Sequence, residues 1–179
     1  MALLAEQIVE EWLNRQGYFT IRGIKLGVDE VDILAIRPSS EGLIECRHFE
    51  VQCSMRPVGY ISNVSKEVRK LTGIGAGSAK KRTLEELSSS VDEWIEKKFL
   101  SKKKTTLKKS LCLANWSMEL VINVVRSNEE VDLMKKRGIK VHHLNDVIHH
   151  LSDKANLIKS AANDDLSELI LVGRLADKG

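Results

Sequence analysis

Along the first sixteen residues the apolar positions recur at helical spacing. At about 100° per residue, Leu4, Ala5, Ile8, Val9, Trp12 and Leu13 fill one arc of roughly 180°. A helix is therefore predicted over about residues 3–16, with Gly17 as its C-terminal cap. Glu6 falls about 20° beyond Leu13, at the rim of the buried arc, while Glu10 and Glu11 turn toward solvent. The period then drops to two. Tyr18 to Lys25 reads as a first strand and Val31 to Arg37 as a second, separated by a turn at Gly27 to Glu30. The second strand is apolar on both faces past Asp32, as expected of a central strand, and Asp32 is the one charge at its mouth. Pro38 to Gly42 has turn chemistry, and a third strand is predicted from Leu43 to Ser54.

Helical spacing returns with Ile61, Val64, Val68 and Leu71, predicting a helix over about residues 61–71. Thr83 and Glu86 form a capping box for another, with Leu84, Leu87, Val91, Trp94 and Ile95 on its core face and an end near Leu100. The last third reads as a strand-helix-strand unit. Met118 to Arg126 is a buried strand, Ser127 and Glu130 cap a helix, and Ile139 to His143 is a second strand parallel to the first. A helix from Asn145 and a terminal one from Asp164 or Asp165 to about Leu175 complete the prediction.

The hairpin of the second and third strands carries the candidate chemistry. Phe49, Val51 and Cys53 alternate with Glu50, Gln52 and Ser54, so the two sets face opposite ways. Folding about Ser39 and Ser40 sets Asp32 opposite Arg47 or His48, with Glu45 and Glu50 both a few residues away. Because those two glutamates point to opposite faces of an unbroken strand, at most one shares a site with Asp32. Glu50 is preferred for its face shared with Gln52 and its apolar backing; Glu45 with Arg47 is the alternative register.

Composition narrows the class. At 179 residues, 42% hydrophobic and 30% charged, the chain suits one globular domain over residues 1–179, with a basic insertion at about 73–110 and C-terminal helices at about 145–179. Lack of a long apolar run and of a signal peptide sets the expectation of no membrane and a cytoplasmic or nucleoid-associated location. The net charge of +3 is unevenly spread: residues 61–112 hold 13 basic and 6 acidic side chains, against 6 and 9 in residues 1–60. An acidic cluster followed by a basic segment suits a metal site beside a phosphate-binding surface, for which Arg56, Tyr60, Lys66, Arg69, Lys70, Lys80, Lys81 and Arg82 are candidates. Seven lysines and no acid between Lys97 and Lys109 read either as a further contact surface or as a solvated loop. Thr72 to Arg82 is rich in glycine but lacks the GxxxxGK[ST] spacing of a phosphate loop. Cys46, Cys53 and Cys112 form no CxxC and are expected to be free thiols. The pairs His142/His143 and His149/His150 diverge on any regular element, so neither chelates by itself.

The order helix, three antiparallel strands, helix, strand-helix-strand, with Asp32 and Glu50 on the central hairpin, resembles the PD-(D/E)XK nuclease superfamily and its restriction-endonuclease-like α/β fold, a mixed β-sheet flanked by helices. AEQIVEEWLNRQGYFTIR followed by EVDILAI looks like the opening of Holliday-junction resolvases and related restriction domains. The resemblance implies a Mg²⁺-dependent DNA endonuclease, with Mn²⁺ as a substitute ion and a homodimer as the working unit. By the same resemblance Asp32, Glu50 and the Val51 carbonyl hold the metal, and Glu6 completes the site. The lysine usual in the third-strand motif is here Gln52, which can orient water but carries no charge. Lys66 is one candidate to supply that charge; the alternative is a catalytically degenerate nucleic-acid-binding or assembly module.

Overall fold

A computed structural model describes residues 2–39, 41–54, 56–151 and 156–158. In chain order the elements are α1 (Ala2–Arg15), β1 (Phe19–Leu26), β2 (Asp29–Pro38), β3 (Ile44–Gln52), α2 (Lys66–Thr72), α3 (Leu84–Ile95), a π-helical turn (Glu96–Leu100), α4 (Lys102–Leu111), β4 (Trp116–Ile122), α5 (Asn128–Lys136), β5 (Ile139–His143) and α6 (Leu144–His150). The helix expected from Asp164 or Asp165 lies outside the described residues.

The five strands form one mixed sheet in the order β1-β2-β3-β4-β5. β1, β2 and β3 run antiparallel, and β3, β4 and β5 run parallel. Two apolar layers cover it. On one face Ile8, Val9, Trp12 and Leu13 of α1 and Val147 of α6 pack on Ile33, Ala35, Phe49, Val51 and Val121. On the other, Val91, Trp94 and Ile95 of α3 and Val131 and Met134 of α5 pack on Leu120, Ile122 and Ile139. Each fully buried Leu, Ile or Phe here contributes on the order of 1.5–3 kcal/mol, so the α1 arc and the α3 stripe are what hold the helices to the sheet. No helix among the described residues is long and apolar enough to cross a membrane.

Four expectations are corrected. The hairpin turn begins at Ser39, whose N–H bonds the Leu43 carbonyl at 2.7 Å, and uses Gly42 at φ 75. Pro38 therefore pairs with Ile44, and Ile33 with Phe49, so Asp32 lies across from Glu50 rather than from Arg47 or His48. The helix expected from Ile61 starts only at Lys66. Its would-be first turn is claimed by Glu130, whose buried carboxylate accepts the N–H groups of Ile61 at 2.7 Å and Ser62 at 2.8 Å. Ser127 caps α5 as expected, but Glu130 reaches this segment instead of returning to close a box. Finally, the lysine-rich segment is no loop: α4 runs through it and buries Lys104 and Lys108.

Candidate metal and phosphate centre

β2 and β3 bring Asp32 and Glu50 side by side, because directly opposed residues of an antiparallel pair project from the same face. That face is the α3 side of the sheet. The Val51 N–H donates to Asp32 Oδ2 at 2.7 Å, fixing the aspartate at the strand mouth. The Glu50 side chain is 0% exposed. Its Oε2 accepts from Lys98 Nζ at 2.6 Å, and its Oε1 accepts from Lys104 Nζ at 2.7 Å with His48 Nε2 at 3.3 Å.

The two lysines come from the crossover between β3 and β4. Lys98 continues the stripe of α3: relative to Leu87, Val91 and Trp94 it stands at helical spacing on the buried side. A lysine in an apolar stripe was the sequence signal for this residue, and it was hidden inside what looked like a uniform run of lysines. The π-helical turn ends the helix over Glu50. Lys104 and Lys108, one turn apart on α4, then cap that turn, with Lys104 Nζ donating to the Lys98 carbonyl at 2.7 Å and Lys108 Nζ to the Phe99 carbonyl at 2.9 Å. These ammoniums replace the solvent that free helical carbonyls would otherwise need.

The electrostatics divide the pair. Burial and the neighbouring Glu50 charge push Asp32 from 3.8 up to about 7. Burial also disfavours the Glu50 carboxylate, but the His48 hydrogen bond and the Lys98 and Lys104 charges overcome it and hold its pKa below the ordinary value. Burial pulls His48 down to about 4, so the ring is neutral and its contact with Glu50 is a hydrogen bond rather than an ion pair. Glu6 stands at the edge of this centre; burial first and the Glu30 charge second raise its pKa, and Glu50 adds to the effect.

A cleft of about 680 Å³ is lined in part by Lys98, the lysine that holds Glu50 Oε2. Its lining includes Gln52, Asn63, Lys66, Arg69, Lys97 and Lys98. Four cations thus share a concavity with two acidic residues, Glu93 and Glu96, of which Glu93 accepts the Lys66 backbone N–H at 2.7 Å. The sequence pattern points to Lys66 and Arg69, and leaves Lys97 and Lys98 undistinguished within the lysine run. Lys66 is exposed on the cleft, and the cation that touches Glu50 is Lys98.

Other candidate residues lie elsewhere. Arg56, Lys70, Lys80 and Lys81 are exposed and outside the cleft lining. Arg82 stacks over the Tyr60 ring at 4.1 Å and donates to the Ser62 carbonyl at 2.9 Å, while its own N–H donates to the Tyr60 hydroxyl. That pair pins the glycine-rich loop to the chain before α2. Glu45 pairs with Arg37 at the far end of the hairpin and accepts from the Tyr18 hydroxyl. Arg47 forms a two-point bond to Glu119 at 2.7 and 2.5 Å on the α1 side of the sheet. The geometry does not bring Glu45 and Arg47 to Asp32. His142 bonds Glu119 at 2.7 Å.

Two carboxylates on one face, beside a cationic cleft, make a hard-oxygen donor set. Among the described residues no group of three His, Cys, Asp or Glu is placed to cage a metal. Such a set suits Mg²⁺, an ion commonly held by one or two carboxylates together with water and substrate phosphates, better than a closed zinc site. Cys46, Cys53 and Cys112 are free thiols.

No family model matches the chain. No curated protein matches it either. Among solved structures it is similar to the crystal structure of a protein of unknown function, AF1548, at 15% identity and a TM-score of 0.46, over 95% of this chain and 78% of that one.

Proposed function

We propose that the protein is a Mg²⁺-dependent DNA endonuclease, with Mn²⁺ able to substitute, built on a restriction-endonuclease-like version of this α/β sheet. A homodimer would present one centre to each strand of a duplex, in a cytoplasmic or nucleoid-associated setting. The observation that carries the reading is Asp32 across from Glu50, with Glu50 held by Lys98, which also lines a cleft with Lys66, Arg69 and Lys97. In it, Asp32 and Glu50 hold the ion, with the Val51 carbonyl as a further oxygen and Glu6 at the rim. The bound ion would polarise the scissile phosphate and lower the pKa of an attacking water. Gln52 orients that water, and Lys98 supplies the charge that a lysine at position 52 would have given, placing a donor where negative charge develops. Lys66, Arg69 and Lys97 hold the flanking phosphates.

A second reading rests on a separate observation. Both Glu50 oxygens already have donors from Lys98, Lys104 and His48, so the centre is satisfied with no ion in it. On this reading the chain is a nucleic-acid-binding or assembly module that keeps the sheet without the chemistry. Incubation with plasmid and branched DNA in Mg²⁺ or Mn²⁺ separates the two. Cleavage that is lost in Asp32→Ala and Glu50→Ala proteins of unchanged fold supports the endonuclease; salt-sensitive DNA binding with no cleavage supports the module.

A further inference from the structure

We propose that Lys98 occupies the place of the divalent cation on Glu50, and that cation and phosphate consequently bind this centre together rather than separately. The inference rests on the reading of Asp32 and Glu50 as ion ligands.

The ammoniums of Lys98 and Lys104 each hold one oxygen of Glu50, so the carboxylate already carries two cations. A dication entering beside both ammoniums would add uncompensated positive charge in a site closed on most sides, which is strongly disfavoured. Two events relieve it: an ammonium leaves Glu50, or a phosphate arrives. The geometry says which ammonium is free to leave. Lys104 is 1% exposed and is also bonded to the Lys98 carbonyl at 2.7 Å, so it is fixed at two points. Lys98 is 25% exposed, its ammonium touches Glu50 Oε2, and it lines the cleft with Gln52, Lys66, Arg69 and Lys97. A rotation of the Lys98 side chain toward the cleft frees Oε2 for an ion and carries the ammonium to the phosphate. Lys104 remains on Oε1 and keeps the carboxylate oriented.

This makes ion and phosphate binding reciprocal, each raising affinity for the other by the same factor. Calorimetric titration of the full-length protein with Ca²⁺, alone and with a short DNA duplex present, reads that factor directly. Wild-type protein is expected to bind Ca²⁺ at least about tenfold more tightly with the duplex than without it, within the usual range of coupling. Lys98→Met is expected to bind Ca²⁺ alone about tenfold more tightly than wild type, since Glu50 Oε2 is released, and to lose most of the coupling. A role for Lys98 in mere packing predicts no gain in ion affinity. Equal Ca²⁺ affinity with and without duplex, or no gain in Lys98→Met, overturns the proposal while leaving the ion site standing. Absence of Ca²⁺ binding in every protein and condition overturns the endonuclease reading itself, and this inference with it.

Discussion

Glu50 and Glu119 sit on adjacent strands, each 0% exposed, and face opposite sides of the sheet. They solve the same problem, a buried carboxylate, in different ways. Glu119 meets the planar fork of Arg47, the His142 ring at 2.7 Å and the Ser117 hydroxyl at 2.6 Å. Arg47 is itself walled in by Trp12, Tyr18 and Phe49. Glu50 meets two lysines, which are single-point donors on long flexible stems, and has a second carboxylate beside it and a cationic cleft in front. A forked, aromatic-walled pair is committed to one arrangement; an ammonium can be exchanged for another cation. The proposed chemistry accordingly falls on the α3 side, where Glu50 is held by single-point donors, and the forked Arg47–Glu119 pair lies on the α1 side.

The two carboxylates are expected to differ most in activity. Glu50→Ala or Asp32→Ala is expected to reduce divalent-dependent cleavage by about a thousandfold or more, the scale of losing electrostatic stabilisation at a reacting phosphate. Glu119→Gln should cleave at close to the wild-type rate whenever it is folded. Stability should fall in both glutamate variants, because removing Glu50 strands the buried Lys104 ammonium just as removing Glu119 strands Arg47. Removing Glu119 strands the Arg47 charge among aromatic rings, and about 3–5 kcal/mol is expected to be lost, as read from denaturant midpoints.

The two regions also carry opposite pH signs. Burial disfavours the Glu119 carboxylate, but Arg47 and His142 overcome this and hold its pKa far below the ordinary 4.5. Its stabilisation is therefore complete above about pH 4.5 and is lost as pH falls toward the depressed folded value. Asp32 is raised from 3.8 to about 7, so the folded chain keeps a proton that the unfolded chain releases, and stability falls as pH rises from about 4 to about 7. In chelator, Asp32→Asn should be more stable than wild type at pH 8 and indistinguishable near pH 4. Glu119→Gln should flatten the acid limb below pH 4.5 instead. Denaturant melts at pH 4, 6 and 8 check both signs.

Smaller effects test the cleft. Lys66→Ala and Arg69→Ala should each weaken DNA binding and reduce the salt dependence of log K by about one phosphate contact per residue. Lys80→Ala and Lys81→Ala, outside the cleft, should leave that slope nearly unchanged.

The sequence makes the scaffold legible because its periods are long and consistent: the α1 arc, the two-sided β2 and the capped α3 are all where the spacing puts them. The pairing of Asp32 with Glu50 was readable as a shared face but not as a register. The turn has several residues able to bend, and hydrogen bonds that the sequence does not display, Ser39 with Leu43 and Gly42 with Ser39, select among them. Lys98 and Lys104 were hidden because lysine is ordinarily a surface residue, and nothing local distinguishes the buried Lys104 from the exposed Lys102 and Lys103 beside it. Ile61 to Ser65 looked helical because its apolar spacing is helical; the partner that overrides it, Glu130, lies far along the chain.

The most direct test is anomalous diffraction from crystals of the protein with a short DNA duplex, soaked in Mn²⁺. The expected result is a manganese peak between the carboxylates of Asp32 and Glu50, with the Lys98 ammonium withdrawn from Glu50 Oε2 toward a phosphate. Duplex bound in the cleft with no manganese at this position, and with Lys98 and Lys104 both still on Glu50, would contradict a metal-dependent endonuclease.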